Sequence, residues 1–124
     1  MMLNIGIDID NCITENSLFF SMLTNSMKGN NKFYIITNRD PLTRKEIIKE
    51  LKDLNIYFDV LVITVDKSKY ILENNITVYF DDTDEYFLSL PESVTVFKIR
   101  EPGNFCYDKH KWIYGKKTGI NIDK

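Results

Sequence analysis

Leu3-Asn4-Ile5-Gly6-Ile7-Asp8-Ile9-Asp10 is a short apolar run that stops abruptly in acids. Its isoleucines suit a strand, and the run is too short for a helix. The same pattern recurs along the chain. Phe33-Tyr34-Ile35-Ile36 ends in Thr37-Asn38-Arg39, and the stretch from Phe58 to Thr64 precedes Asp66-Lys67. Thr77-Val78-Tyr79-Phe80 runs into Asp81-Asp82, and Val94-Thr95-Val96-Phe97 reads as a fifth strand. Strands this apolar are expected to be buried on both faces, as in a parallel sheet covered by helices.

Helical stretches separate these strands. Asn16 or Ser17 can cap a helix carrying Leu18, Phe19, Met22, Leu23 and Met27 on one face, with Phe20 also a core candidate. Gly29-Asn30-Asn31 breaks it. Asp40 before Pro41 is a cap-and-start signal for a second helix, with Ile47, Ile48, Leu51 and Leu54 on its inner side. Ser68 to Asn75 reads as a third. The alternation predicts an α/β fold, a doubly wound, Rossmann-like parallel sheet with helices on both faces. Right-handed crossovers, and the need to gather the strand-end polar residues, predict the order three-two-one-four with the first strand central. Beyond Arg100 the pattern fades into the loop Glu101-Pro102-Gly103-Asn104 and an ambiguous tail around Trp112.

The 124 residues suit one domain spanning 1–124, and 44% hydrophobic with 27% charged residues is ordinary for a soluble globular protein. A net charge of −2 gives no basic field for nucleic acid or an anionic membrane, which favours a small substrate. Cys12 and Cys106 cannot make the disulfide framework of a small secreted domain, and the first residues lack the pattern of a signal peptide. A cytoplasmic protein is expected. No apolar run approaches the roughly 18 residues needed to span a bilayer.

The polar residues fall at one place in this scheme. Asp8 and Asp10 follow strand one, Thr37 ends strand two, Lys67 follows strand three, and Asp81 and Asp82 follow strand four. Open α/β sheets bind ligands at the carboxyl ends of their strands. Carboxylates hold Mg²⁺, attack phosphorus to give an acyl phosphate, or exchange a proton with a leaving alkoxide and with water. Lys and Thr donate hydrogen bonds to phosphoryl oxygens. The set of side chains is the one phosphoryl transfer uses.

Ile7-Asp8-Ile9-Asp10-Asn11-Cys12-Ile13-Thr14 resembles the DxDx(T/V) nucleophile motif of the haloacid-dehalogenase superfamily. Ile35-Ile36-Thr37-Asn38-Arg39 resembles its second motif, Asp66-Lys67 its third, and Val78-Tyr79-Phe80-Asp81-Asp82 its fourth, in the family's order over most of residues 3–82. The resemblance implies Asp8 as nucleophile and Asp10 as acid/base. It implies that Thr37 and Lys67 bind the phosphoryl group, with Asn38 beside Thr37 as a further candidate. It also implies Mg²⁺ held by Asp8, Asp81, Asp82 and the backbone carbonyl of Asp10. Lys69 rivals Lys67 for the lysine's place. Cys12 stands where the family usually has Thr or Val.

Thr64-Val65-Asp66-Lys67, Phe80-Asp81-Asp82 and Thr37-Asn38-Arg39 look most like the 5′(3′)-deoxyribonucleotidases, and the last also like polynucleotide 3′-phosphatases. Known deoxyribonucleotidases of the family carry a helical cap after the first motif. Here residues 11–31 and 40–66, between the motifs, leave room only for a turn, a helix and one strand, so a capless member is implied. Such an open site admits large substrates. The expected activity is Mg²⁺-dependent hydrolysis of a phosphomonoester, a nucleotide or another small phosphorylated substrate. A polynucleotide 3′-phosphatase acting on a nucleic-acid end is the alternative. A catalytically silent binding module of the same fold is the non-enzymatic alternative, and the presence of Asp10 argues for the enzyme. Asn38 and Arg39 either orient a substrate or form a solvated turn. Asp84 and Glu85 read as first-turn helix acids. His110 with Lys109, Lys111, Lys116 and Lys117 reads as a solvated basic face, and Trp112 as packing.

Overall fold

A computed structural model describes residues 2–113. The main sheet has five parallel strands, β1 (Asn4–Ile7), β2 (Lys32–Thr37), β3 (Val60–Ile63), β4 (Val78–Asp81) and β5 (Thr95–Lys98). Their order is β3-β2-β1-β4-β5, as the sequence predicts for the first four. Helices α1 (Ser17–Met27), α2 (Arg44–Asp53), α3 (Lys67–Glu73) and α4 (Asp84–Phe87) connect them.

Strand alternation sorts the apolar residues onto two faces. Ile5, Ile7, Phe33, Ile35 and Leu61 bury against Phe20 of α1 and Ile47 and Leu51 of α2. Tyr34, Ile36 and Tyr79 bury on the other face with Ile71 of α3, Ile76 and Val94. The fold is therefore α/β, a Rossmann-like parallel sheet flanked by helices. Gly6 faces the second cluster at close range. A Cβ there would lie 2.9 Å from Ile36 Cδ1 and 3.0 Å from Tyr79 Cδ1. Among the described residues, no helix is long and apolar enough to cross a membrane.

The first helix departs from its expected face. Leu18, Phe19 and Met22 are 75%, 55% and 64% exposed, whereas Phe20 and Thr24 are fully buried, with Leu23 and Met27 partly so. The reason is that a polar residue completes the inner stripe. The Thr24 hydroxyl donates to Phe20 O at 2.8 Å and accepts from Tyr57 N at 3.1 Å, so it is satisfied although fully buried. Phe20 then packs edge-on against Phe80, ring centroids 5.4 Å apart. Asn16 occupies the cap position, but its amide donates to Cys12 O at 2.8 Å instead of capping the helix.

Asp40 does cap, accepting from Leu42 N at 2.9 Å ahead of the 3₁₀ turn Pro41–Thr43 that leads into α2. The tail is a small antiparallel hairpin of β6 (Phe105–Cys106) and β7 (Lys111–Trp112). Trp112 packs edge-on against Phe105 at 5.2 Å beneath the Lys98 ammonium, which confirms a packing role. Lys109 and His110 are exposed on the turn, and Lys111 is exposed at the start of β7. Lys116 and Lys117 lie outside the described residues.

Candidate functional site

The chain leaves β1 at Ile7, but Asp8 stays tied to the sheet, its N–H donating to Phe80 O at 3.0 Å. Strand order reverses at β1, which lies between β2 and β4, and Asp8 thus stands at the switch point. The turn Ile9–Ile13 then doubles back. Asn11 adopts φ 59°, a left-handed conformation that Asn tolerates better than most residues, and its N–H donates to Thr14 Oγ1 at 3.0 Å. That reversal returns Cys12 and Ile13 to the core and leaves Asp10 outward.

Three carboxylates and one lysine meet here. Asp8 and Asp81 are buried, and Lys67, 2% exposed, extends from the first residue of α3 to bridge them. Its Nζ lies 2.7 Å from Asp8 Oδ1 and 3.1 Å from Asp81 Oδ2. The Tyr79 hydroxyl donates to Asp81 Oδ2 as well, while Asp81 Oδ1 accepts from the N–H groups of Asp82 and Thr83 at 2.7 and 3.1 Å. Asp8, Asp81 and Asp82 each offer a carboxylate oxygen, all within 4.8 Å of one another. Lys69 is exposed and pairs with Glu73 at 3.9 Å, so Lys67 is the lysine of this cluster.

One ammonium does not balance three acids. Burial, and then Asp81, push the Asp8 carboxyl up to about 7 from 3.8 against the opposing pull of Lys67. Burial and the hydrogen bond and charge of Asp81 raise Asp82 to about 6. For Lys67 burial acts downward, but Asp81 and Asp8 outweigh it and hold the ammonium charged. Cys12 is sealed beneath the cluster, with Sγ 3.8 Å from Phe80 O; burial and the neighbouring acids drive its thiol far above the ordinary range. Its side chain serves as core packing there.

A cavity of about 260 Å³ opens over the cluster, lined by Asp8, Asp10, Asn11, Asn38, Lys67 and Asp82. Tyr86 of α4 forms another wall, its ring centroid 4.5 Å from Lys67 Nζ. Asp10 reaches this cavity from its rim, where Arg39 binds its carboxylate at 2.8 Å. Thr37 is placed differently: it is fully buried at the end of β2 and does not line the cavity. Its hydroxyl has no hydrogen-bond partner among the described residues.

Several contributors escape a reading by strand ends. Tyr79 is two residues before Asp81, and the two-residue period that puts both on one face is a signal that finds it. Asn104 donates to Asp82 O at 3.0 Å and Ile99 O at 2.7 Å, tying the tail loop to the site, and no local pattern announces that. Glu50 enters only through Arg39.

The donor set suits a hard cation: it is all oxygen, anionic, and held on rigid strand ends. The raised Asp8 and Asp82 carboxyls mark a cluster short of positive charge, which a divalent ion would supply. No family model, curated protein or solved structure matches this chain.

Proposed function

We propose that this chain is a capless, haloacid-dehalogenase-like phosphatase, a Mg²⁺-dependent phosphomonoester hydrolase that works through an aspartyl-phosphate on Asp8. The observation that carries this reading is the buried Asp8–Lys67–Asp81 bridge, with Asp82 beside it, at the sheet's switch point and open to a polar cavity. Phosphoryl transfer asks for little covalent help from a protein beyond positioning and charge stabilisation. An Asp nucleophile with a lysine already on it answers that need.

The residues divide the work as follows. Asp8, Asp81 and Asp82, with the Asp10 carbonyl, would hold Mg²⁺, which when bound neutralises phosphoryl charge and orients the group. Lys67 keeps Asp8 toward its ionised form and supplies a donor to a phosphoryl oxygen. An Asp8 oxygen attacks phosphorus as the bond from phosphorus to the ester oxygen breaks, and Asp10 gives that oxygen a proton. Water then attacks the acyl phosphate, Asp10 takes its proton, and Asp8 leaves as the carboxylate. Asn11 and Asn38, which line the cavity, would donate their amide hydrogens to phosphoryl oxygens. Thr37, for which the resemblance implies a phosphoryl contact, is fully buried and off the cavity wall, so it takes no part in this division of work.

A small phosphorylated substrate, a nucleotide among the candidates, suits a cavity of about 260 Å³ into which Lys67 presents an ammonium. The test is a hydrolysis screen over nucleotides, sugar phosphates and 3′-phosphorylated oligonucleotides, with Mg²⁺ and with chelator. Metal-dependent release of phosphate from one class is expected. Mg²⁺ binding without hydrolysis of any class would point instead to a silent binding module.

A further inference from the structure

Arg39 spends four donor contacts on two carboxylates. Its Nε and Nη2 reach Asp10 Oδ2 and Oδ1 at 3.2 and 2.8 Å, while Nη1 and Nη2 reach Glu50 Oε2 and Oε1 at 2.6 and 3.3 Å. A guanidinium has five N–H donors, so little remains for a substrate phosphate. Arg39 is also absent from the cavity wall, whereas Asp10 is part of it. Both substrate contact and simple solvation are poor descriptions of this arginine.

The geometry has a consequence for Asp10. Its side chain is 60% exposed and stands on a sharp turn. A proton-transferring group must sit within about 2.6–3.2 Å of the oxygen it serves. A planar fork binding both oxygens fixes the carboxylate plane in a way a lysine cannot. A carboxylate has about four lone-pair sites and the fork takes two, which leaves one on each oxygen for a ligand. Glu50, on α2, holds the other side of the fork and anchors it to the helix layer.

We propose that Arg39, fixed by Glu50, is a positioning residue that aims the Asp10 carboxylate into the cavity. The inference rests on the phosphatase reading, in which Asp10 passes a proton to the leaving oxygen and takes one from water. Arg39 neither gives nor takes a proton in that sequence. It holds the group that does.

The test compares wild type, Arg39→Lys, Glu50→Gln, Asp10→Asn and the Asp10→Asn/Arg39→Lys double variant, as full chains with Mg²⁺ and p-nitrophenyl phosphate. Arg39→Lys and Glu50→Gln should lower kcat by about 10- to 10²-fold, the range for a misplaced group. KM and Mg²⁺ affinity should stay within about twofold. The double variant should be no slower than Asp10→Asn alone, because a positioning residue has nothing left to position. A rise in KM at unchanged kcat, or fully additive losses, would overturn the proposal. A second readout is independent of turnover. The Arg39 Nε–H resonance should shift in Asp10→Asn and in Glu50→Gln, and an unmoved resonance removes the clamp. If the resonance shifts but wild type hydrolyses no phosphomonoester, the phosphatase reading fails, and the ion pair is purely structural.

Discussion

Replacing Lys67 by Met removes the only positive charge paired with the buried Asp8 and Asp81 among the described residues, while keeping a side chain of similar length. At an effective dielectric near 20, charges 2.7 and 3.1 Å apart attract by about 6 and 5 kcal/mol. Desolvation of the buried ions, several kcal/mol each, offsets most of that, and removing one partner of such a group typically destabilises by about 3–5 kcal/mol. For a domain of this size that is roughly 10–20 °C in Tm. The loss should depend on pH, with a definite sign. Asp8 already titrates near 7 in the fold against 3.8 ordinarily, and Lys67 is the group pulling it down. Without Lys67 the folded state keeps the Asp8 proton over a wider range, while the unfolded chain has released it. A fold that binds more protons than its unfolded chain loses stability as pH rises. Thermal unfolding in chelator should therefore show a smaller gap between Lys67→Met and wild type at about pH 5 than at about pH 8. Mg²⁺ should narrow the gap at the higher pH, because it binds the folded cluster only. An equal loss at both pH values, or no loss, would refute the account of Lys67 as charge compensation.

Asp81→Asn should weaken Mg²⁺ binding and turnover together, on the order of 10²-fold or more in rate, as followed by calorimetry and phosphate release; activity that survives full chelation would rule the metal out. Gly6→Ala should destabilise by about 1–3 kcal/mol in urea titrations. Its Cβ meets the Ile36 methyl at 2.9 Å, which can rotate away, but also the Tyr79 ring at 3.0 Å, which cannot, and a neutral result would show that the two faces are looser than they look. Cys12 should remain unlabelled by iodoacetamide in the native protein, because burial and the acids around it keep the thiol protonated, and mass spectrometry showing the labelling rate of a free thiol there would contradict its placement.

The strands were legible because their signal is local. Ile5 and Ile7, Phe33 and Ile35, and Tyr79 each need only a short apolar run and a polar stop to be placed, and the order of the runs with right-handed crossovers then forces β1 to the centre. The face of α1 was not legible, because it turns on Thr24, a polar residue whose burial depends on Tyr57, thirty-three positions away. The hairpin after Arg100 was not legible for a similar reason. Its strands are two residues long and held by ring contacts of Phe105 with Tyr107 and Trp112, which no periodicity encodes. Arg39 was visible as a residue and opaque as a role, since Glu50 lies a helix away.

The site shows the same division. Which acids converge follows from strand ends, but their charge balance does not. Strand ends alone place Asp8, Asp81 and Asp82 together with Lys67 at one edge, with no hint that the lysine is shared between two of them and that Asp82 is left without it. The raised Asp8 and Asp82 carboxyls follow from that deficit and from burial. Without a divalent ion, burial and mutual repulsion favour retention of protons on Asp8 and Asp82. The group proposed to attack phosphorus is then the one that gives up a proton when the ion binds. Metal binding, nucleophile ionisation and fold stability are consequently one linked equilibrium: Mg²⁺ should bind more tightly as pH rises through about 7 and release protons as it does so.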